Sequence, residues 1–129
     1  MEIKTLLRPI DWLDGISHGY ACGYVGVPPE HPWYGKTYFG DNQLPDIEVH
    51  RGVTWANPYI GADTTYMNDG KTWWIGFDTA HDCDTMENCN RAYCETQLAS
   101  LKQQAFDALN AYTPWPQSSR QCDLPRRGW

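Results

Sequence analysis

Apolar and polar residues alternate with period two in two stretches of this chain, and recur at helical steps in a third. Over Ile47–Trp55, the residues Ile47, Val49, Val53 and Trp55 fall on one face, with Glu48, His50 and Thr54 opposite. Over Thr72–Asp78, Trp73, Ile75 and Phe77 share a face, with Trp74, Gly76 and Asp78 on the other. Both patterns predict strands. Tyr20–Val27 predicts another, rich in β-formers, where Gly23 and Gly26 point to a bulge or a close backbone approach. From Asn88 to Tyr112 the apolar positions Cys94, Leu98, Leu101, Ala105, Leu109 and Tyr112 form one helical stripe, with Arg91, Glu95, Lys102, Gln103 and Asp107 elsewhere. Asp84 and Glu87 suit the start of that helix, and Thr113-Pro114 ends it. Ile10–Leu13 predicts a helical turn before Gly15.

Between these elements, Pro28, Pro29 and Pro32 forbid a helix and predict a stiff, extended loop through Lys36. The stretch from Trp55 to Thr72 carries turn signals at Asn57-Pro58, Gly61 and Asn68-Asp69-Gly70, and no helical pattern. A parallel crossover needs a helix-length connection, so the flanking strands are expected to pair antiparallel. That pairing brings Glu48 and His50 toward Asp78, His81 and Asp82. The expected fold is α+β: a small antiparallel β-sheet packed by one long C-terminal α-helix, with extended aromatic and proline loops. Residues 1–112 form its single domain. Residues 113–129, rich in Pro, Ser and Arg, read as an irregular tail that Trp115 pins to the body.

Composition narrows the function classes. The chain is long enough for one modest core. No apolar run reaches the roughly 20 residues of a membrane span. The N-terminus lacks a secretory apolar region, so a cytoplasmic location is expected. Net charge is −6, and residues 41–95 hold ten acids against three bases, a body that repels duplex nucleic acid. Five cysteines include no Cys-x-x-Cys pair, so free, buried thiols are expected rather than a zinc knuckle. Aromatic residues make up 14% of the chain, enough either to fill a small core or to line a pocket.

Two regions carry candidate chemistry. In the proline loop, His31, Trp33, Tyr34 and Lys36 put stackable rings beside a cation, a combination that suits a nucleotide; Trp33 and Tyr34 would equally serve as a lid on the core. At the shared strand end, His50, Asp78 and His81 supply the ligand types for zinc or manganese, with Glu48 or Asp82 as base for hydrolysis. The same groups would also satisfy strand ends and a helix cap, as Asp84 is expected to do. Cys83 beside His81 is a weaker candidate, because near neighbours in a chain seldom aim at each other.

Three blocks, Gly23–Lys36, Ile47–Thr54 and Trp73–His81, together resemble a family of small uncharacterised proteins encoded by tailed bacteriophages and prophages. The match spans residues 20–82, with the helix alike only in character, and the family would carry glycine where Arg51 stands. The resemblance implies a phage accessory protein and no particular activity. By analogy the expected function is counter-defence: capture of a small nucleotide-like ligand or a host protein, without turnover, with His31, Trp33, Tyr34, Lys36, His50, Asp78 and His81 as ligand-binding residues. Self-association into a homo-oligomer is compatible with this. The alternative is a metal-dependent hydrolase at the His/Asp strand end.

Overall fold

A computed structural model describes residues 2–61 and 67–112. Among the described residues four strands and one helix follow in chain order: β1 (Lys4–Pro9), β2 (Ala21–Val27), β3 (Trp55–Asn57), β4 (Trp73–Phe77) and α1 (Arg91–Tyr112). The sheet order is β1-β2-β4-β3, and every pairing is antiparallel. The α+β expectation is met. Among the described residues, no helix is long and apolar enough to cross a membrane.

Strand β2 is buried along its whole length because both faces of the sheet are covered. Val25, Val27, Ile75 and Phe77 point to the α1 side and pack with Leu101 and Ala105. Cys22, Tyr24 and Trp74 point the other way and pack with Ile10 and Ile60. Period two divides the residues of β4 between these two cores, as its sequence predicts. The close approach expected at Gly23 is present: a methyl group there would run into the Phe77 ring. On α1, Cys94, Leu101 and Ala105 are buried, and Leu98 and Leu109 pack partly against the sheet. Burying a leucine such as Leu101 contributes about 1.5–3 kcal/mol.

Several local elements differ from expectation. Lys4–Pro9 is an edge strand, where a terminal proline is tolerated; the helical turn expected at Ile10–Leu13 is absent. The strand expected over Ile47–Trp55 shrinks to Trp55–Asn57, because Arg51 and Gly52 both take left-handed backbone, φ 60° and 80°, and turn the chain. Pro28–Lys36 is not extended. It coils through successive turns, with His31, Tyr34 and Lys36 amides donating to the Pro28, His31 and Trp33 carbonyls. The helix cap is Asn90, whose Oδ1 accepts from the Tyr93 amide at 2.9 Å, not Asp84. The tail expected over residues 113–129 lies outside the described residues.

Candidate functional site

Strand β4 ends at Phe77, and the chain enters a loop fixed by its own carboxylates. Asp78 Oδ1 accepts from the Ala80 amide (2.9 Å), and its Oδ2 accepts from the Thr54 hydroxyl (2.8 Å). Asp84 closes the next turn twice: its amide donates to the His81 carbonyl, and its Oδ2 accepts from the His81 amide, each at 3.0 Å. Cys83 between them has φ 73°. The buried Thr79 ties the loop to β2 by donating to the Ala21 carbonyl (2.8 Å). Asp84 is therefore held at 2% exposure, with its carboxylate aimed inward.

His50 arrives from the opposite side. Its backbone does not join the sheet and lies instead along α1. Gln104 both donates to the Glu48 carbonyl (2.7 Å) and accepts from the Glu48 amide (2.9 Å), while Gln97 accepts from the His50 amide (2.8 Å). The imidazole then meets three groups. Its Nδ1 lies 2.7 Å from the Tyr93 hydroxyl, and its Nε2 lies 3.0 Å from Asp84 Oδ1 and 3.8 Å from Cys89 Sγ. Cys89 Sγ is itself 3.6 Å from Asp84 Oδ1.

His50, Asp84 and Cys89 thus converge on one point, at the N-terminal end of α1. A tetrahedral zinc ion, with sulfur at about 2.3 Å and nitrogen or oxygen at about 2.1 Å, sets S–N and S–O edges of about 3.6 Å and an N–O edge of about 3.4 Å. The observed edges of 3.8, 3.6 and 3.0 Å are close to these. Tyr93 fits either tautomer of His50, since a hydroxyl donates to a bare Nδ1 or accepts from a protonated one. In the second case Nε2 is bare and faces Asp84 and Cys89, as a metal ligand must.

The electrostatics follow from burial and these contacts. Burial by itself would raise the Asp84 carboxyl, but hydrogen bonds from the His81 amide and from His50 outweigh it and hold the group below its usual value. Burial pushes the Cys89 thiol up to about 11, helped by the Asp84 charge. Arg51, with one guanidinium nitrogen donating to the Asp82 carbonyl (2.9 Å) and lying 3.8 Å from Asp84 Oδ1, covers the rim.

The expected strand-end residues divide. His50 and His81 come together, with ring centroids 6.1 Å apart. His81 Nδ1 is buried between Asp78 Oδ1 (3.3 Å) and Asp84 Oδ2 (3.4 Å), with a straight hydrogen bond to neither. Both oxygens of Asp78 are engaged in holding the loop. Glu48 lies back along α1 beside Gln104, and Asp82 is exposed, meeting Arg51 through its backbone carbonyl. Cys83 is exposed, and the thiol that meets a histidine is Cys89. Sequence reasoning missed Asp84, Cys89 and Tyr93 as partners of His50. Asn88 and Asn90, good cap residues that lie nearer the helical stripe than Asp84, were the available sign that Asp84 is not needed as a cap.

The proline loop forms a second region. His31 and Trp33 are 3% and 2% exposed, and so belong to the core. His31 Nε2 donates to the Ala105 carbonyl (2.8 Å), and its Nδ1 accepts from the Trp33 amide (2.9 Å). Tyr34 packs its ring near Trp73, and Trp73 donates to the Lys36 carbonyl (2.8 Å). Between this loop and α1 lies an open cavity of about 910 Å³. No family model, curated protein or solved structure matches this chain.

Proposed function

We propose that the protein is a metal-dependent hydrolase, with His50, Asp84 and Cys89 as ligands of a zinc-like divalent ion. One observation carries the reading: three donor atoms of different chemistry, from two separate loops, meet at separations close to the edges of a metal tetrahedron. Three protein ligands leave a fourth position for water, the arrangement of catalytic rather than structural zinc sites. The ion would lower the pKa of that water and supply a hydroxide nucleophile near neutral pH. With the ion held by His50, Asp84 and Cys89, the chemistry supplied would be addition of water across a bond to an electrophilic carbon or phosphorus, the water's two hydrogens ending on the two products. Cysteine sulfur favours zinc over manganese. Binding would convert the Cys89 thiol to thiolate and release its proton. The half-buried His81, beside His50 and flanked by Asp78, would take the place that Glu48 and Asp82 hold in the sequence reading.

A thiol nucleophile fits the same residues less well. In a nucleophilic pair, one imidazole nitrogen serves the thiol while the other meets the carboxylate. Here Nε2 faces both Asp84 and Cys89, and the thiol is raised rather than activated. A phage accessory setting accommodates a hydrolase as readily as a binder.

The test is metal content in protein purified without added metal, followed by hydrolysis of a chromogenic ester. The expected result is close to one zinc per chain, lost in His50→Ala and Cys89→Ser but kept in Asp78→Asn, with activity removed by chelation and restored by zinc. A wild-type protein that takes up no metal after dialysis against zinc would sink the reading.

A further inference from the structure

The cavity beside the proline loop has a charge opposite to the one that Lys36 alone suggests. Its walls include Trp33 and Tyr34, but also Glu30, Asp46 and Asp107, which the chain brings in from three separate segments. Among the described residues Lys36 is the single cation there, so three carboxylates against one ammonium leave the cavity negative. His31 adds no charge to offset them: burial lowers its pKa, and both ring nitrogens are engaged, one by the Ala105 carbonyl and one by the Trp33 amide. Neither Glu30 nor Asp46 makes an ion pair among the described residues. A nucleotide phosphate would be repelled.

A second observation points to an occupant. Trp33 forms part of the wall and is 2% exposed, yet its indole N–H is buried with no acceptor. A buried donor left unpaired costs about 1–3 kcal/mol, and a native structure rarely keeps one without reason. An acceptor atom on a ligand would satisfy it once the indole turns toward the cavity on binding. The Tyr34 ring and the prolines supply apolar contact, and cations are attracted to an aromatic face.

We propose that this cavity binds a small organic cation: an ammonium or guanidinium on an apolar stem, with a hydrogen-bond acceptor such as an amide oxygen close by. The carboxylates neutralise the charge, Tyr34 and the prolines cover the stem, and the Trp33 indole N–H donates to the acceptor. The same chemistry is found in a free amine and in a basic side chain of a peptide. The site is independent of the metal centre, which lies near the other end of α1, about three helical turns away.

Argininamide is the probe, with N-acetylarginine methylamide as its peptide-like form and adenosine monophosphate as the anionic contrast. Binding is followed through the indole ¹H–¹⁵N resonance of Trp33 in the full chain. Argininamide is expected to shift that resonance in a saturable way. The double variant Asp46→Asn, Asp107→Asn should weaken it at least tenfold, while Lys36→Ala leaves it equal or tighter and His50→Ala leaves it unchanged. Tighter binding of the acetylated form would assign the site to peptide side chains, and tighter binding of argininamide to free amines; either supports the proposal. An unmoved Trp33 resonance, adenosine monophosphate bound more tightly than either cation, or an unchanged affinity in a double variant whose melting matches wild type would overturn it.

Discussion

The centre around His50 and the cavity beside Trp33 are both built around carboxylates, but they pack them differently. At the centre, one carboxylate is shared among an imidazole, a backbone amide, a thiol and a guanidinium, all within 4 Å. In the cavity, three carboxylates are spread over about 910 Å³. Concentrated donors of mixed softness suit a point charge such as a metal ion, whereas dispersed carboxylates among rings suit a charge delocalised on an organic stem. An acidic body of net charge −6 can serve both uses, and spacing separates them.

The largest expected effect that would break this comparison comes from Asp84→Ala. It leaves His50, the His81 amide and Cys89 facing a buried gap, so urea unfolding should show a loss of about 3 kcal/mol, and bound metal should fall to near zero. The cavity should still bind argininamide. If metal stayed in place, the centre would not be organised around this carboxylate.

Next in size is Tyr93→Phe, which removes the group that holds His50 Nδ1. Zinc affinity, measured by competition with a chromophoric chelator, should fall about 10–100-fold with little change in the cavity. An unchanged affinity would mean that the Gln97 and Gln104 contacts alone aim the ring.

A smaller effect separates the two regions by pH. The folded pKa of His31 lies below its ordinary value of 6.5 because the ring is buried. Below pH 6.5 the unfolded chain therefore takes up a proton that the folded chain does not. Stability from this group is full above that pH and declines as the pH falls through and below it. Urea midpoints should drop between pH 7.5 and 5.5, and the drop should shrink in His31→Gln.

The smallest effect expected is a gain. Arg51 holds φ 60°, a conformation that glycine adopts without strain. Arg51→Gly should raise stability by roughly 0.5–1 kcal/mol in thermal melts, with metal stoichiometry unchanged. A loss of metal would show that the guanidinium helps to hold Asp84 in place.

The sequence patterns carried the large elements and lost the small ones for definite reasons. The stripe on α1 and the alternation in β4 are set by burial on one face each, so they could be read directly. The pattern over Ile47–Trp55 is equally regular, yet the segment lies on the helix, because two left-handed residues turn it and two glutamines satisfy its backbone. His50 and His81 were legible as neighbours because antiparallel pairing of β3 and β4 brings the chain before Trp55 to the end of β4, although the grip of Gln97 on the His50 amide sets the final place of the ring. Cys89 and Tyr93 were not, because their position depends on how α1 docks. The sign of the proline-loop cavity was equally hidden: Asp46 and Asp107 lie far from Lys36 in the chain, and only the closed fold sets them around it.

The grip of Gln97 and Gln104 on the segment before Arg51 has a consequence for the order of folding. The amide protons of Glu48 and His50 are held by side chains of α1 and not by a neighbouring strand. Their exchange with solvent therefore reports docking of this segment, separately from the integrity of the sheet. A chain with its sheet formed and this segment adrift would keep Asp84 and Cys89 together by local sequence, while His50 stood at no fixed distance from them. The complete ligand set would then exist only in the docked state. An ion that requires all three ligands would act as a late clasp, slowing exchange at these two amides before it changed exchange anywhere in the sheet.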